Sequence, residues 1–389
     1  MLFILAFGLF GSCTVILADD ELASVQRGST MIEPTRSKAH PGAVGSLRRA
    51  DVDVDPGQAP PGVVLVSIDG LASRYVDEYL AADILPTFAW LQEHAAYTHD
   101  ARTEARISVT LPNHTSMITG RPAVEVPGAD PRTHHGFLHN HDPGQGQTIH
   151  NAGNPQLDYA ISIFDEIHDR GGYTSLYAGK SKFQFLYRSY VGEASRPDSI
   201  GDDDGRNKID DFTINEVTST LVDEFLSALS RGVSRHPNGP NFAMLHLRDT
   251  DSNGHTHGWG SEQYRSALQD LDAALGRILQ TLRERTLLAR TYLLVTTDHG
   301  GVASGHYDTS VLDVVQIPFY VWGPGIEGGA DLYELSDGTR IDPGRSIPMD
   351  TMGSQPVRNG DAANLALALL GVDQIKGSLH RGMRLILQH

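Results

Sequence analysis

The chain has 389 residues, 40% of them hydrophobic and 20% charged, enough to bury the core of one large domain or two smaller ones. Its formal net charge of −17 argues against a nucleic-acid polymer as partner, because phosphate-backbone binding draws on excess Lys and Arg. A small phosphorylated substrate stays compatible with that charge, since bound divalent cations invert the field of a carboxylate-rich site.

Residues 1–18, MLFILAFGLFGSCTVILA, form an apolar run that turns acidic at once. That length suits the core of a signal peptide, with a lipoprotein signal around FGSC as a variant and a membrane tether as the alternative. The expectation is export, to the periplasm, the medium or a lipid anchor at the envelope. The single cysteine, Cys13, lies in this segment, so the domain that follows has no disulfide. Residues 19–60 lack apolar periodicity and are rich in Gly, Pro and small polar residues, which reads as a flexible arm.

From residue 61 to 389 the pattern is that of one α/β domain with insertions. Continuous apolar runs at VVLVSI (63–68), FAMLHL (242–247), TYLLVTT (291–297) and IPFYVW (317–322) read as buried strands. Between them, residues 262–285 repeat Leu268, Leu271, Leu275, Ile278, Leu279 and Leu282 on one helical face, and residues 157–170 read as a second helix before a short strand at SLYA. This alternation predicts a mostly parallel sheet with helices on both faces, and such sheets bind ligands at the carboxyl ends of their strands.

The polar residues at those ends are acids and histidines. Asp69 follows VVLVSI; Asp251 and His255 follow FAMLHL in RDTDSNGHTHG; Asp298-His299-Gly300-Gly301 follows TYLLVTT, with His306 seven residues beyond His299. Asp and His together suit a borderline metal such as zinc. Upstream, RISVTLPNHTSMITGRP (106–122) sets several hydroxyls at a helix start, where they could cap backbone amides or serve as a nucleophile.

SIDG, TLPNH, DSNGH and DHGG occur in the order seen in the alkaline phosphatase superfamily. The segments HHGFLHN (134–140) and SIFDEIHDRGGYTSLYAGKSKF (162–183) resemble its nucleotide pyrophosphatase/phosphodiesterase branch. The resemblance spans roughly residues 62–325. It implies a two-metal hydrolase of phosphodiester or pyrophosphate bonds, with zinc as the expected ion. One metal would be held by Asp69, Asp298, His299 and the Thr110 oxygen, the other by Asp251, His255 and a further histidine. Thr110 would be the nucleophile and would form a covalent phospho-threonine, with Asn113 donating to a phosphoryl oxygen. The branch has its last histidine late in the chain, where this sequence reads QPVRNGDAANLALALLG; His306 is the expected substitute, with His257 and His380 as alternatives. The five histidines of residues 131–150 read as an insertion, with His135, by resemblance, as a substrate contact. Lys180 and Lys182 in AGKSKF could approach a phosphate, although a surface lysine pair needs no function, and Lys182 is the candidate substrate ligand. Two other readings share these residues: phosphonate or phosphomonoester hydrolysis or phospho-group transfer on the same metals, and a non-catalytic envelope binding protein on the same fold. The sequence leaves oligomeric state open.

Overall fold

A computed structural model describes residues 62–389 except 203–204, 236–240, 285–289, 337, 350–352, 381–384 and 386–389. The expected signal (1–18, with Cys13) and arm (19–60) lie outside the described residues. A seven-stranded sheet organises the rest: β1 (Gly62–Ile68), β2 (Ala96–Arg102), β3 (Tyr173–Ala178), β4 (Asp211–Ile214), β5 (Asn241–Leu247), β6 (Thr291–Thr296) and β7 (Gln316–Trp322), in the order β2-β7-β6-β1-β5-β3-β4. The core strand β1 pairs in parallel with β5 and β6, β3 pairs in parallel with β4 and β5, and β7 runs antiparallel to both its neighbours.

The continuous apolar runs are explained by burial on both faces. Val63 and Leu65 point to one side, where Leu111, Met117 and Ile118 of the helix Thr110–Thr119 and Leu365 and Leu367 of the helix Ala362–Leu369 cover them. Val64, Val66 and Ile68 point to the other, against the helices Ser73–Ala81, Pro86–His94 and Glu262–Glu284. With no face left to water, the strands lose the alternation that a half-buried sheet would show. The helix expected over 157–170 is shorter, Ile163–His168. Ser162 caps it reciprocally with Asp165, and Tyr159 donates to Asp165 Oδ1 at 2.6 Å, which holds the preceding residues in a non-helical path. Among the described residues no helix is long and apolar enough to cross a membrane.

Strand β1 ends in Asp69, and Gly70 turns the chain with φ of +75°. A Cβ on Gly70 would sit 2.9 Å from the Asp251 Cα, so the two acid-bearing loops touch at backbone level only because this residue has no side chain. Gly70→Ala is therefore expected to cost about 1–3 kcal/mol of stability from left-handed strain and displacement of Asp251, read as a lowered urea midpoint at unchanged slope.

Candidate functional site

Three strand ends deliver the acids. Asp69 follows β1, Asp298 and His299 follow β6, and β5 leads into the helix Asp249–His257, which carries Asp251 and His255 one turn apart. The ligand atoms of Asp69, Asp298 and His299 lie within 4.8 Å of one another, as do those of Asp251, His255 and His306. The two groups adjoin, with His299 Nε2 3.9 Å from Asp251 Oδ1 and the His299 and His306 rings stacked at 3.6 Å. Of the two alternatives to His306, His257 is exposed, and His380 pairs at 2.6 Å with the buried Glu104.

Each carboxylate has one oxygen tied by the protein and one left over. Asp69 Oδ2 accepts from His246 Nε2 at 2.8 Å and pairs with Lys180 Nζ at 2.6 Å; Asp251 Oδ2 accepts from the same ammonium at 2.6 Å. Asp298 Oδ1 accepts from the backbone N–H groups of Gly70 and His299 at 3.2 and 3.0 Å. The other oxygens (Asp69 Oδ1, Asp251 Oδ1, Asp298 Oδ2), together with His299 Nε2, are buried without a hydrogen-bond partner. Buried polar atoms are rarely left so.

The histidines follow the same rule. His299, His306 and His255 donate their Nδ1–H to the carbonyls of Gly300, Ser108 and Ser304 at 2.8, 2.6 and 3.0 Å. This fixes the tautomer and turns each Nε2 lone pair inward, the arrangement that a carbonyl behind the ring imposes on metal-binding imidazoles. In consequence His255 Nε2 and His306 Nε2 face each other at 3.1 Å, lone pair to lone pair, a contact that only a proton or cation relieves. Burial, then His299, pushes His306 down to about 2. Burial and the Asp69 charge push Asp298 up to about 7. Although burial opposes it, the Lys180 charge and the His246 hydrogen bond hold Asp69 well below the usual carboxylate range. The residues thus fit two divalent cations, one per group, in donor type and in unsatisfied atoms.

Thr110 opens its helix immediately beside these groups. Ser108 O accepts from His306 Nδ1, and Thr110 O accepts at 2.7 Å from the Nδ1–H of His114, which lies 3.8 Å from Asp298 Oδ2. Burial first of all keeps His114 neutral, and its Nε2 accepts from Ser67 at 2.8 Å. Asn113 differs from expectation. Its amide donates to the Ile107 and Val109 carbonyls at 3.2 and 3.0 Å, and its oxygen accepts from Glu104 N and Asn359 Nδ2. Fully buried, it braces the approach to Thr110 and offers no spare donor. His135 also differs: it is wholly buried, with Nδ1 accepting from Phe137 N and Nε2 bonded to Ser116, so a substrate has no access to it. Asn140, unread in the sequence because it sits in the histidine-rich insertion, accepts from Leu111 N at 3.2 Å and from Lys182 Nζ at 3.1 Å, beside the residue that follows Thr110.

A family model described as type I phosphodiesterase / nucleotide pyrophosphatase matches residues 63–316. Human ectonucleotide pyrophosphatase/phosphodiesterase family member 1 is 25% identical over 248 residues, 62% of this chain and 23% of that protein. The match spans about a quarter of the length of such curated relatives. Among solved structures, murine ectonucleotide pyrophosphatase/phosphodiesterase 5, an inactive form in complex with AMP, aligns with TM-score 0.54 at 15% identity, covering 83% of this chain and 97% of that one. An alkaline phosphatase superfamily protein from Vibrio parahaemolyticus aligns with TM-score 0.52 at 15% identity, covering 87% and 76%.

Metal analysis of purified protein is expected to find about two divalent ions per chain, and His306→Ala about one. Loading the chelated protein near pH 6.5 should release a proton from Asp298, seen as a calorimetric heat that depends on buffer ionisation enthalpy; full retention of both ions by the variant would point to another histidine. A separate pH effect follows from burial, which pushes His135 to about 3 and His150 to about 4. Both stay neutral when folded but take a proton when unfolded below about 6.5, so their contribution to stability is lost as pH falls through that value, by about 2 kcal/mol each at pH 5. Urea midpoints of His150→Gln should depend less on pH than those of wild type over that range.

Proposed function

Because the chain belongs to the type I phosphodiesterase/nucleotide pyrophosphatase family, a branch of the alkaline phosphatase superfamily, we propose that it is a metal-dependent hydrolase of phosphodiester or pyrophosphate bonds, nucleotides among them, acting through a covalent phospho-threonine on Thr110. The observation that carries this reading is the convergence of unsatisfied inward atoms from Asp69, Asp251, Asp298 and His299 next to the helix that Thr110 opens.

Asp69, Asp298 and His299 would hold one divalent ion with the Thr110 oxygen, and Asp251, His255 and His306 a second. Bound there, the ions would supply positive charge that lowers the pKa of a hydroxyl and offsets charge on the entering and leaving oxygens. The chain's own residues do the rest. His114 fixes the Thr110 carbonyl, and Ser108 is tied to His306, so the hydroxyl is held at a set position against the site. Thr110 gives up its hydroxyl proton and Oγ attacks phosphorus as the bond to the leaving group breaks, so that one proton is released from the hydroxyl and one is taken up by the displaced oxygen. Water then cleaves the phospho-threonine and regenerates the hydroxyl. Asn140, whose oxygen is held by Leu111 N and Lys182, keeps its amide donors for a non-bridging phosphoryl oxygen, the role expected of Asn113 from the sequence. Asn113 serves as a positioning residue. Zinc is the ion we expect, and export, with residues 61–389 as the hydrolase domain, is the setting.

The test uses chromogenic phosphodiester, phosphomonoester, phosphonate and sulfate esters on wild type and Thr110→Ala. The variant is expected to lose at least about a thousandfold in kcat with metal content retained, and acid quenching should trap phosphate on wild type alone. Undiminished turnover by the variant would remove the nucleophile assignment.

A further inference from the structure

Lys180 and Lys182 leave the carboxyl end of β3 two residues apart, yet their surroundings differ in kind. Lys180 is claimed by two carboxylates, Asp69 and Asp251, each at 2.6 Å. Lys182 lies in the short turn Ser181–Phe183, and its Nζ bonds at 3.1 Å to the neutral Oδ1 of Asn140. That oxygen also accepts from Leu111 N, so the ammonium stands two hydrogen bonds from the residue after Thr110.

An ammonium carries three donors and is costly to withdraw from water without an opposite charge. Lys182 is partly buried, and burial followed by the Lys180 charge lowers its pKa; the pull in the other direction comes from Asp69, Asp251 and Asp298. Those are the acids that Lys180 and the fitted cations neutralise. With the cations in place, the Lys182 charge is left uncompensated beside Asn140, the residue to which the proposed function assigns a phosphoryl oxygen.

We propose that Lys182 receives a second negative charge of the substrate, at or beside the scissile phosphoryl group. This rests on the reading of Thr110 as the attacking residue. A simple diester has one charge, shared by its two non-bridging oxygens, and the cations and the Asn140 amide suffice for it. A third anionic oxygen has two chemical sources: the scissile group itself when it is a monoester or phosphonate dianion, or a neighbouring phosphate across a pyrophosphate bond. Both present an oxyanion to an ammonium, and each such charge-assisted bond is worth roughly 10–100-fold in binding.

The experiment compares wild type, Lys182→Met and Lys182→Arg on 4-nitrophenyl phosphate, a nucleoside triphosphate and bis(4-nitrophenyl) phosphate, with metal content measured for each. Lys182→Met should lose roughly 10–100-fold more kcat/KM on a doubly charged substrate than on the diester, with Lys182→Arg intermediate. Loss confined to 4-nitrophenyl phosphate assigns the charge to the scissile group; loss confined to the triphosphate assigns it to the neighbouring phosphate. Equal loss on all three, or none, overturns the proposal and leaves the hydrolase reading intact. Calorimetric binding of inorganic phosphate to the metal-loaded proteins gives a second readout that needs no turnover. Run in parallel with pyrophosphate, which also carries a neighbouring phosphate, it should show Lys182→Met binding at least one of the two roughly tenfold or more weakly, and unchanged affinity for both overturns the proposal. Absence of turnover by wild type on every substrate would count against the hydrolase reading, while the two titrations would still decide for or against Lys182.

Discussion

Three carboxylates held together at the ends of three buried strands are the constraint on which the rest of this structure depends. Asp69 and Asp298 are fully buried and Asp251 nearly so. Like charges so placed cannot all stay ionised on their own. Lys180 meets part of the difficulty by bridging Asp69 and Asp251. Asp298 meets another part by shifting toward neutrality. What is left is a set of inward oxygens and one imidazole nitrogen with no partner, which two divalent ions would satisfy. An acid cluster of this kind works against folding unless cations enter, so site and stability are linked through the same atoms.

The chemistry was legible in the sequence where the chain itself juxtaposes it with a strand. Asp69, Asp251, Asp298 and His299 each follow closely on an apolar run, and a parallel sheet puts all such positions at one edge. Residues whose role depends on what crosses over from elsewhere were not legible. Asn113 stands three residues after Thr110 and looked available as a donor. It is consumed by the carbonyls of Ile107 and Val109 and by Asn359, a residue 246 positions away in sequence. Asn140 was hidden by the histidines around it. The direction of β7 was equally out of reach, because an apolar run reads the same in either orientation, and β2 (AYTHDAR) and β4 (DFTI) carry too few buried apolar residues to announce themselves.

Rigidity at the site comes from outside its inner ring. Every histidine that offers an inward nitrogen spends its other nitrogen on a backbone carbonyl, and every inward carboxylate oxygen has a twin held by an N–H, an imidazole or an ammonium. The scaffold therefore sets orientation before any ion arrives. Gly70 permits this by letting the Asp69 turn rest against the backbone of Asp251.

The placement of His306 carries the last step of synthesis. Within residues 298–306 one loop supplies ligand candidates to both groups, Asp298 and His299 to the first and His306 to the second, and the stacked rings of His299 and His306 join them. The segment QPVRNGD, where the resembled branch has its last histidine, does another task here. Its Asn359 donates to the Asp298 carbonyl and to Asn113 Oδ1 at 3.0 and 2.8 Å, tying the loop after β6 to the helix that Thr110 opens from behind. Because Ser108 accepts from His306 Nδ1, the same loop also fixes the residues that lead into Thr110. Displacing that loop would disturb both groups of acids and histidines and the start of the Thr110 helix together, which makes residues 298–306 the segment on which the candidate site turns.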